Sequence, residues 1–365
     1  MPQKSLAAVL VAPNQFEMRE FDLPEVPDDG GLLKLEACGI CGSDIHGRER
    51  MGNGPKILGH ENVGIVVKLG ATAARKWKVK EGDRVALEEY VPCGKCEWCR
   101  SDDFRFCPQT DIAGEGPRLW YGSTGIDTSP ALWGGYSEYM YIHPDAVVHR
   151  MSSKVPAPHA AAFLPFSNGV EWAYRYGEVS LGDAILVQGP GQQGLACVIA
   201  AKAAGASTII VTGLSGDTRR LEIARKLGAT HTIDVQTEDF KARVMDATGG
   251  EGVNVVVNVT GGSKTTVQDS ISVAGKRCNI VLAAAGKETI DVSTFGRRKL
   301  VIKQANGHSY KSVEIAIDFI TNGNLPMEDI STHTFPMNRA SEAIDAVAGK
   351  GAPGAIHVSI MPFVG

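Results

Sequence analysis

The chain has 365 residues, of which 43% are apolar and 21% charged, with a net charge of -4. That length asks for two domains rather than one, and the apolar content suffices to fill two cores. Acids and bases are mixed, so no basic surplus attracts nucleic acid or acidic lipid. No apolar stretch reaches the length of a membrane span. The opening MPQKSLAAVLVAPNQFEM lacks a long apolar region followed by a cleavage site, so the expectation is a cytoplasmic protein without nucleic-acid or membrane partners.

In the first third, short β-like runs alternate with turn residues: GLLKLEACGI, VGIVVKLG, GDRVALEEY and GGYSEYMYI. They predict a compact, mostly β domain. Two segments inside it gather polar, metal-binding residue types, ACGICGSDIHG (37–47) and GPKILGHENVGIVVKLG (54–70).

Next comes CGKCEWCRSDDFRFC (93–107), four of the eight cysteines in one short run. Eight cysteines are too sparse for a disulfide scaffold. Cys93, Cys96 and Cys99 recur at three-residue intervals, Gly94 permits a tight turn, and Cys107 closes the set. This suits a tetrahedral zinc bound by four thiolates, which has no open position for substrate and is therefore structural. A ferredoxin-type cluster would need a shorter last gap. The following segment, 108–133, reads as a long loop. Its Trp120, Tyr121 and Trp133 either line a substrate pocket or fill ordinary packing.

From about residue 165 the pattern changes to alternating strands and helices. AILVQ (184–188) is a strand, LACVIAAKAAGA a helix, STIIVTG a strand, DTRRLEIARKLGA a helix and HTIDV a strand. EDFKARVMDATGG is a helix, and GVNVVVNVTG and RCNIVLAAA are strands. The alternation predicts a parallel sheet, and the continuous apolar strands predict that both of its faces are covered. A strand near 299–305, helices over KSVEIAIDFITNG and ASEAIDAVAGK, and a strand AIHVSI complete the chain.

The first of these strands runs into Gly189-Pro190-Gly191-Gln192-Gln193-Gly194 at the start of a helix. The first glycine makes the turn, the second lets backbone approach a pyrophosphate, and the third lets helix and sheet pack closely. The helix N-terminus adds unpaired N–H groups. Together these predict a dinucleotide site. The second strand ends in Gly213, where an acid would hold the adenosine ribose hydroxyls. Ser215, Thr218, Arg219 and Arg220 follow, and these suit a 2′-phosphate, a lean toward NADP over NAD. The other reading has the arginines solvated and Asp217 serving the ribose.

With these motifs in this order, the chain resembles the zinc-type medium-chain alcohol and polyol dehydrogenases. GHENVGIVVKLG carries that family's G-H-E-x2-G-x5-G pattern, with Ala73 in place of a closing valine, and CGSDIH matches its first metal-ligand segment. The resemblance implies a Rossmann doubly wound parallel sheet inserted into a GroES-like, mostly β catalytic domain. It places the catalytic domain at 1–164 and 304–365 and the dinucleotide domain at 165–303, with substrate in the cleft between them. It implies Cys41 and His60 as ligands of a catalytic zinc and Glu61 as a carboxylate beside or on the metal. Ser43 would exchange a proton with substrate, and His46 would relay it. The implied substrate is a small alcohol or carbonyl compound, secondary or polyol-like, and the implied assembly a homodimer or homotetramer. The chemistry follows from acidity. A neutral alcohol keeps its proton near pH 7, and a Lewis acid with an open position makes its loss feasible before hydride transfer to the nicotinamide.

One position departs from the pattern. In AAAFLPFSNGVEW the third-ligand slot holds Leu164, which has no donor atom. Three arrangements stay open: Glu61 completes the site, the metal is weakly held, or the site is metal-free with Ser43 polarising a carbonyl. Glu171, two helical turns on, would stand about 10 Å away and is no replacement. Two rival readings are a reductase with only the structural zinc and a non-catalytic NAD(P)-binding protein.

Overall fold

A computed structural model describes residues 3–52, 54–261, 264–284, 287–293 and 295–363. The chain forms two units, 1–164 with 317–365, and 165–316.

The first unit opens with β1 (Lys4–Ala12), β2 (Gln15–Asp22), β3 (Gly31–Gly39), β4 (Lys56–Ile57), β5 (Glu61–Leu69), β6 (Arg84–Leu87), β7 (Tyr139–Ile142) and β8 (Val148–Arg150). β1 pairs antiparallel with both β2 and β4. β3 is buried along nearly its whole length because it takes β5 on one side and further strands on the other. Its apolar residues Leu33 and Leu35 join Val66, Val85, Leu87 and Met140 in one core. Burial on that scale is the main source of stability here. Tyr121 and Trp133 are only 1% and 2% exposed and belong to this core; the Tyr121 hydroxyl accepts from the His143 amide. Packing, rather than pocket lining, accounts for both.

The second unit carries β9 (Ala184–Gln188), β10 (Thr208–Gly213), β11 (His231–Asp234), β12 (Val253–Asn258), β13 (Ala274–Leu282) and β14 (Val301–Gln304). All pair in parallel, in the order β11-β10-β9-β12-β13-β14. Helices Gln192–Ala203, Thr218–Leu227 and Phe240–Ala247 connect the strands in the order the periodicity predicts. The reading of RCNIVLAAA as a strand runs on to Ala285, which lies outside the described residues. A helix at Thr266–Val273 has no counterpart in the sequence reading.

The return to the first unit falls at 317, not 304. Beyond β14, Ala305 still bonds to Leu282 of β13, His308 bonds to Asn168, and Ser309 to Glu171. These ties keep residues 305–316 with the parallel sheet. The last strands, β15 (Ser331–Pro336) and β16 (His357–Met361), then pair with each other, and β16 joins β3. Among the described residues no helix is long and apolar enough to cross a membrane.

Candidate active site and metal centres

Three antiparallel registers build one cluster in the first unit. β3 and β5 pair with Gly39 opposite Glu61, so Cys41, just past β3, and His60, just before β5, arrive together. β16 pairs with β3 with Ser359 opposite Gly39, which carries His357 to the same place. β5 and β6 end their pairing with Asn62 opposite Leu87, and Glu89 and His60 lie two residues past that pair, just outside the strands, with Glu89 Oε2 3.7 Å from His60 Nε2.

Cys41 is also the N-terminal cap of the helix Gly42–Glu49, a segment read from sequence only as a ligand motif. Its amide donates to the Asp44 carboxylate at 3.0 Å. Asp44 in turn stands 3.7 Å from His60 Nδ1. The imidazole is thereby oriented with Nε2 toward Ser43 Oγ, at 3.5 Å, and Glu89 Oε2, at 3.7 Å. Burial pushes the Asp44 carboxyl up and opposes charge on His60. Even so, Asp44, Cys41 and Glu89 together hold His60 well above the usual imidazole range. The surroundings favour a positive charge at this point.

The donor atoms of Cys41, His60 and Glu61 lie within 4.8 Å of one another, and all three residues are buried. Both Glu61 carboxylate oxygens are buried without a hydrogen-bond partner among the described residues. The His357 imidazole Nε2 stands 3.8 Å away, itself buried and without a hydrogen bond among the described residues, while its Nδ1 is bonded to Ser331 Oγ. Gly39 makes room for both: a Cβ there would stand 2.2 Å from Glu61 Oε2 and 2.9 Å from His357 Nε2. A buried carboxylate left unsatisfied in this way is costly unless a cation completes it. A thiolate, an imidazole and a carboxylate are the donor set of an open zinc site, so the residues fit the metal. Leu164 is 2% exposed and offers it nothing.

Ser43 is exposed at the mouth of this cluster. His46 does not enter it: its side chain is 72% exposed and faces Glu49 at 3.9 Å. Asp44 and Glu89 are not among the residues the sequence singles out, and His357, which shows no ligand-like grouping in the sequence, stands 3.8 Å from Glu61.

The four-cysteine run forms a second cluster. The sulfurs of Cys93, Cys96, Cys99 and Cys107 lie within 4.8 Å of one another. Thiolates on one tetrahedral zinc stand about 3.8 Å apart, so this set fits a single ion. Gly94 has φ +71 with open space where a Cβ would be, as the tight turn requires. The amides of Lys95 and Cys96 turn toward Cys93 and hold its thiol at about 7, below the usual cysteine range, and the Cys93 amide donates to Cys107.

In the second unit, Gly189 has φ +107, and a Cβ on Gly194 would fall 1.8 Å from the Gly189 carbonyl. Gly191, by contrast, has nothing within 4 Å of a Cβ. It caps the helix Gln192–Ala203 with no side chain bonded to the helix amides. An open cradle beside uncapped N–H groups fits a pyrophosphate. Pro190 completes the turn, and Gln193 lies in the first turn of the helix.

Beyond β10, the Asp217 carboxylate is engaged on both oxygens, by the Leu214 amide at 3.0 Å and Arg220 at 3.1 Å. Ser215 Oγ donates to Asp234 at 2.7 Å. Arg219 is exposed.

Known proteins resemble the chain over nearly its whole length. A family model described as alcohol dehydrogenase GroES-like domain matches residues 27–153, and one described as zinc-binding dehydrogenase matches 194–322. A probable alcohol dehydrogenase of Mycobacterium tuberculosis is 33% identical over 366 residues, covering 98% of each chain. The erythritol/L-threitol dehydrogenase of Mycolicibacterium smegmatis is 31% identical over 377 residues, covering 99% of each. A crystal structure of an Escherichia coli oxidoreductase/dehydrogenase of unknown specificity matches with a TM-score of 0.84 and 27% identity, over 98% of this chain and 99% of that one. These matches define an oxidoreductase with a Rossmann domain inserted into a GroES-like domain. The chain belongs to the zinc-type medium-chain dehydrogenase/reductase family.

Proposed function

We propose that the protein is an NADP-dependent alcohol dehydrogenase that interconverts a small secondary alcohol or polyol and its carbonyl compound. The observation carrying this reading is the buried convergence of Cys41, His60 and Glu61 within 4.8 Å, with Ser43 beside it. The erythritol/L-threitol and sorbitol dehydrogenases among its relatives favour a polyol.

Cys41 and His60 would hold the zinc, with Glu61 as a carboxylate beside or on it, and Cys93, Cys96, Cys99 and Cys107 would hold a second, structural one. When bound at the first site, zinc supplies a Lewis acid that makes an alcohol hydroxyl acidic near neutral pH. Asp44 fixes the His60 ring so that Nε2, not Nδ1, faces the reacting region. Ser43 Oγ accepts the substrate proton, and because it is exposed it passes that proton outward, to His46 or directly to water. His357 offers Glu61 a partner when the carboxylate moves aside. Gly189, Pro190, Gly191, Gln192, Gln193 and Gly194 bind the pyrophosphate of the dinucleotide, whose nicotinamide is the hydride acceptor. Gly213, Ser215 and Arg219 receive the adenosine ribose. Asp217 is tied to the Leu214 amide and to Arg220, which favours the exposed Arg219 meeting a 2′-phosphate over Asp217 serving a ribose diol.

The test is oxidation of tetritols, pentitols, hexitols and simple secondary alcohols with NADP+ and NAD+, followed by nicotinamide absorbance, alongside metal analysis. Reduction of NADP+ by at least one polyol, with two zinc ions per chain, is expected. Cys41→Ser should lose one zinc and at least 100-fold in kcat, a barrier increase of about 2.7 kcal/mol. A chain that binds NADPH but oxidises no alcohol is a nucleotide-binding protein only. An active chain with one zinc is a reductase without metal at its centre.

A further inference from the structure

We propose that Glu89 is a ligand of the metal at Cys41 and His60, supplying the third fixed donor that Leu164 cannot. This rests on the reading that the centre holds zinc.

The last β5–β6 pair, Asn62 and Leu87, leaves Glu89 and His60 two residues beyond it, outside the strands, and Glu89 Oε2 stands 3.7 Å from His60 Nε2. Two donors bound to one tetrahedral zinc at about 2.0–2.2 Å are about 3.4 Å apart. A shift of a few tenths of an ångström therefore lets one ion bridge these two, and because Glu89 lies outside the 4.8 Å cluster of Cys41, His60 and Glu61, its carboxylate has to swing inward to share the ion with Cys41. The nitrogen Glu89 approaches is the one available for metal, since Nδ1 faces Asp44. The Glu89 side chain is only 14% exposed, and His60 is its one ion partner among the described residues. A carboxylate this far out of water asks for a cation.

Glu61 alone would serve the site poorly. It has a second partner, His357, at 3.8 Å. Whenever Glu61 turned there to admit substrate, Cys41 and His60 would be left as the only protein donors, whereas catalytic zinc sites keep three. With Glu89 in place, three donors remain, and Glu61 is free to exchange with substrate.

The experiment measures zinc per chain and zinc affinity by competition with a graded chromophoric chelator, for wild type, Glu89→Gln, Glu61→Gln and Glu89→His. Wild type holds two zinc ions. Glu89→Gln keeps the zinc of the cysteine lobe and binds the other at least tenfold more weakly, while Glu61→Gln keeps both. Glu89→His, which restores a donor, recovers the second ion. Retained NADPH binding and an unchanged circular dichroism spectrum report that each variant is folded. Should Glu89→Gln unfold, the comparison of Glu89→His with Glu89→Ala in the cobalt-loaded visible spectrum decides: a spectrum that the histidine leaves unaltered overturns the proposal. Glu89→Gln binding two zinc ions with wild-type affinity also overturns it. A wild-type chain with a single zinc, in the cysteine lobe, instead overturns the metal reading on which the proposal stands.

Discussion

Gly191 and Gly194 sit three residues apart in one turn, yet they answer to different demands. A methyl at Gly194 collides with the Gly189 carbonyl; one at Gly191 meets nothing. Gly194→Ala should therefore lower the unfolding free energy by about 1–3 kcal/mol, as overpacking does. Gly191→Ala should leave stability within about 0.5 kcal/mol of wild type. It should still weaken NADPH binding tenfold or more, about 1.4 kcal/mol, because the methyl occupies the phosphate's space. Denaturant titration and fluorescence binding separate the two effects. Glu171 offers a contrasting case. Its buried carboxylate accepts from the Ser309 amide and from the hydroxyls of Ser309 and Ser312. Glu171→Ala strands these donors and should cost about 1–3 kcal/mol, leaving the metal count unchanged.

At the scale of elements, the local pieces were legible and their pairing was not. AILVQ declares itself a buried strand, and the glycine turn after it has one economical explanation. Cys41, His60 and Glu61 were legible because a motif places them. His357 and Glu89 were not, because each reaches the site through a strand register, and register depends on which strands become neighbours. The return point was misplaced for a related reason. β14 reads as the last strand of the sheet, but the hydrogen bonds holding 305–309 are visible only in three dimensions. The cysteine lobe is an element whose pattern and geometry coincide, and its chemistry yields a prediction. The thiolate is the reactive form, and its fraction rises with pH. In metal-stripped protein, iodoacetamide should alkylate Cys93 ahead of Cys99 and Cys107, whose thiols burial pushes up, with a midpoint at about 7. Zinc should suppress the reaction, and peptide mass mapping reads out both.

For the whole molecule, the metal clusters belong to one unit and the glycine turn to the other. Each ligand should therefore report on its own unit. NADPH at a hundred times its Kd should stabilise the 165–316 unit by about 2.7 kcal/mol. Hydrogen exchange should then slow in β9, β10 and the helix Gln192–Ala203. A chelator should quicken exchange around 93–107 and 41–61 and leave those strands as they were. Equal responses in both units to either treatment would mean that they unfold as one.

β16 reaches β3 from the far end of the sequence and brings His357 with it. A nascent chain thus emerges from the ribosome with its GroES-like sheet unfinished and one edge of β3 unpaired beside Cys38 and Cys41. Until the final strand arrives, those thiols and that edge are open to oxidation and to strand exchange with another copy. Chaperone capture or early zinc loading would matter most during that interval, and a premature stop shortly before residue 357 would forfeit solubility along with the site.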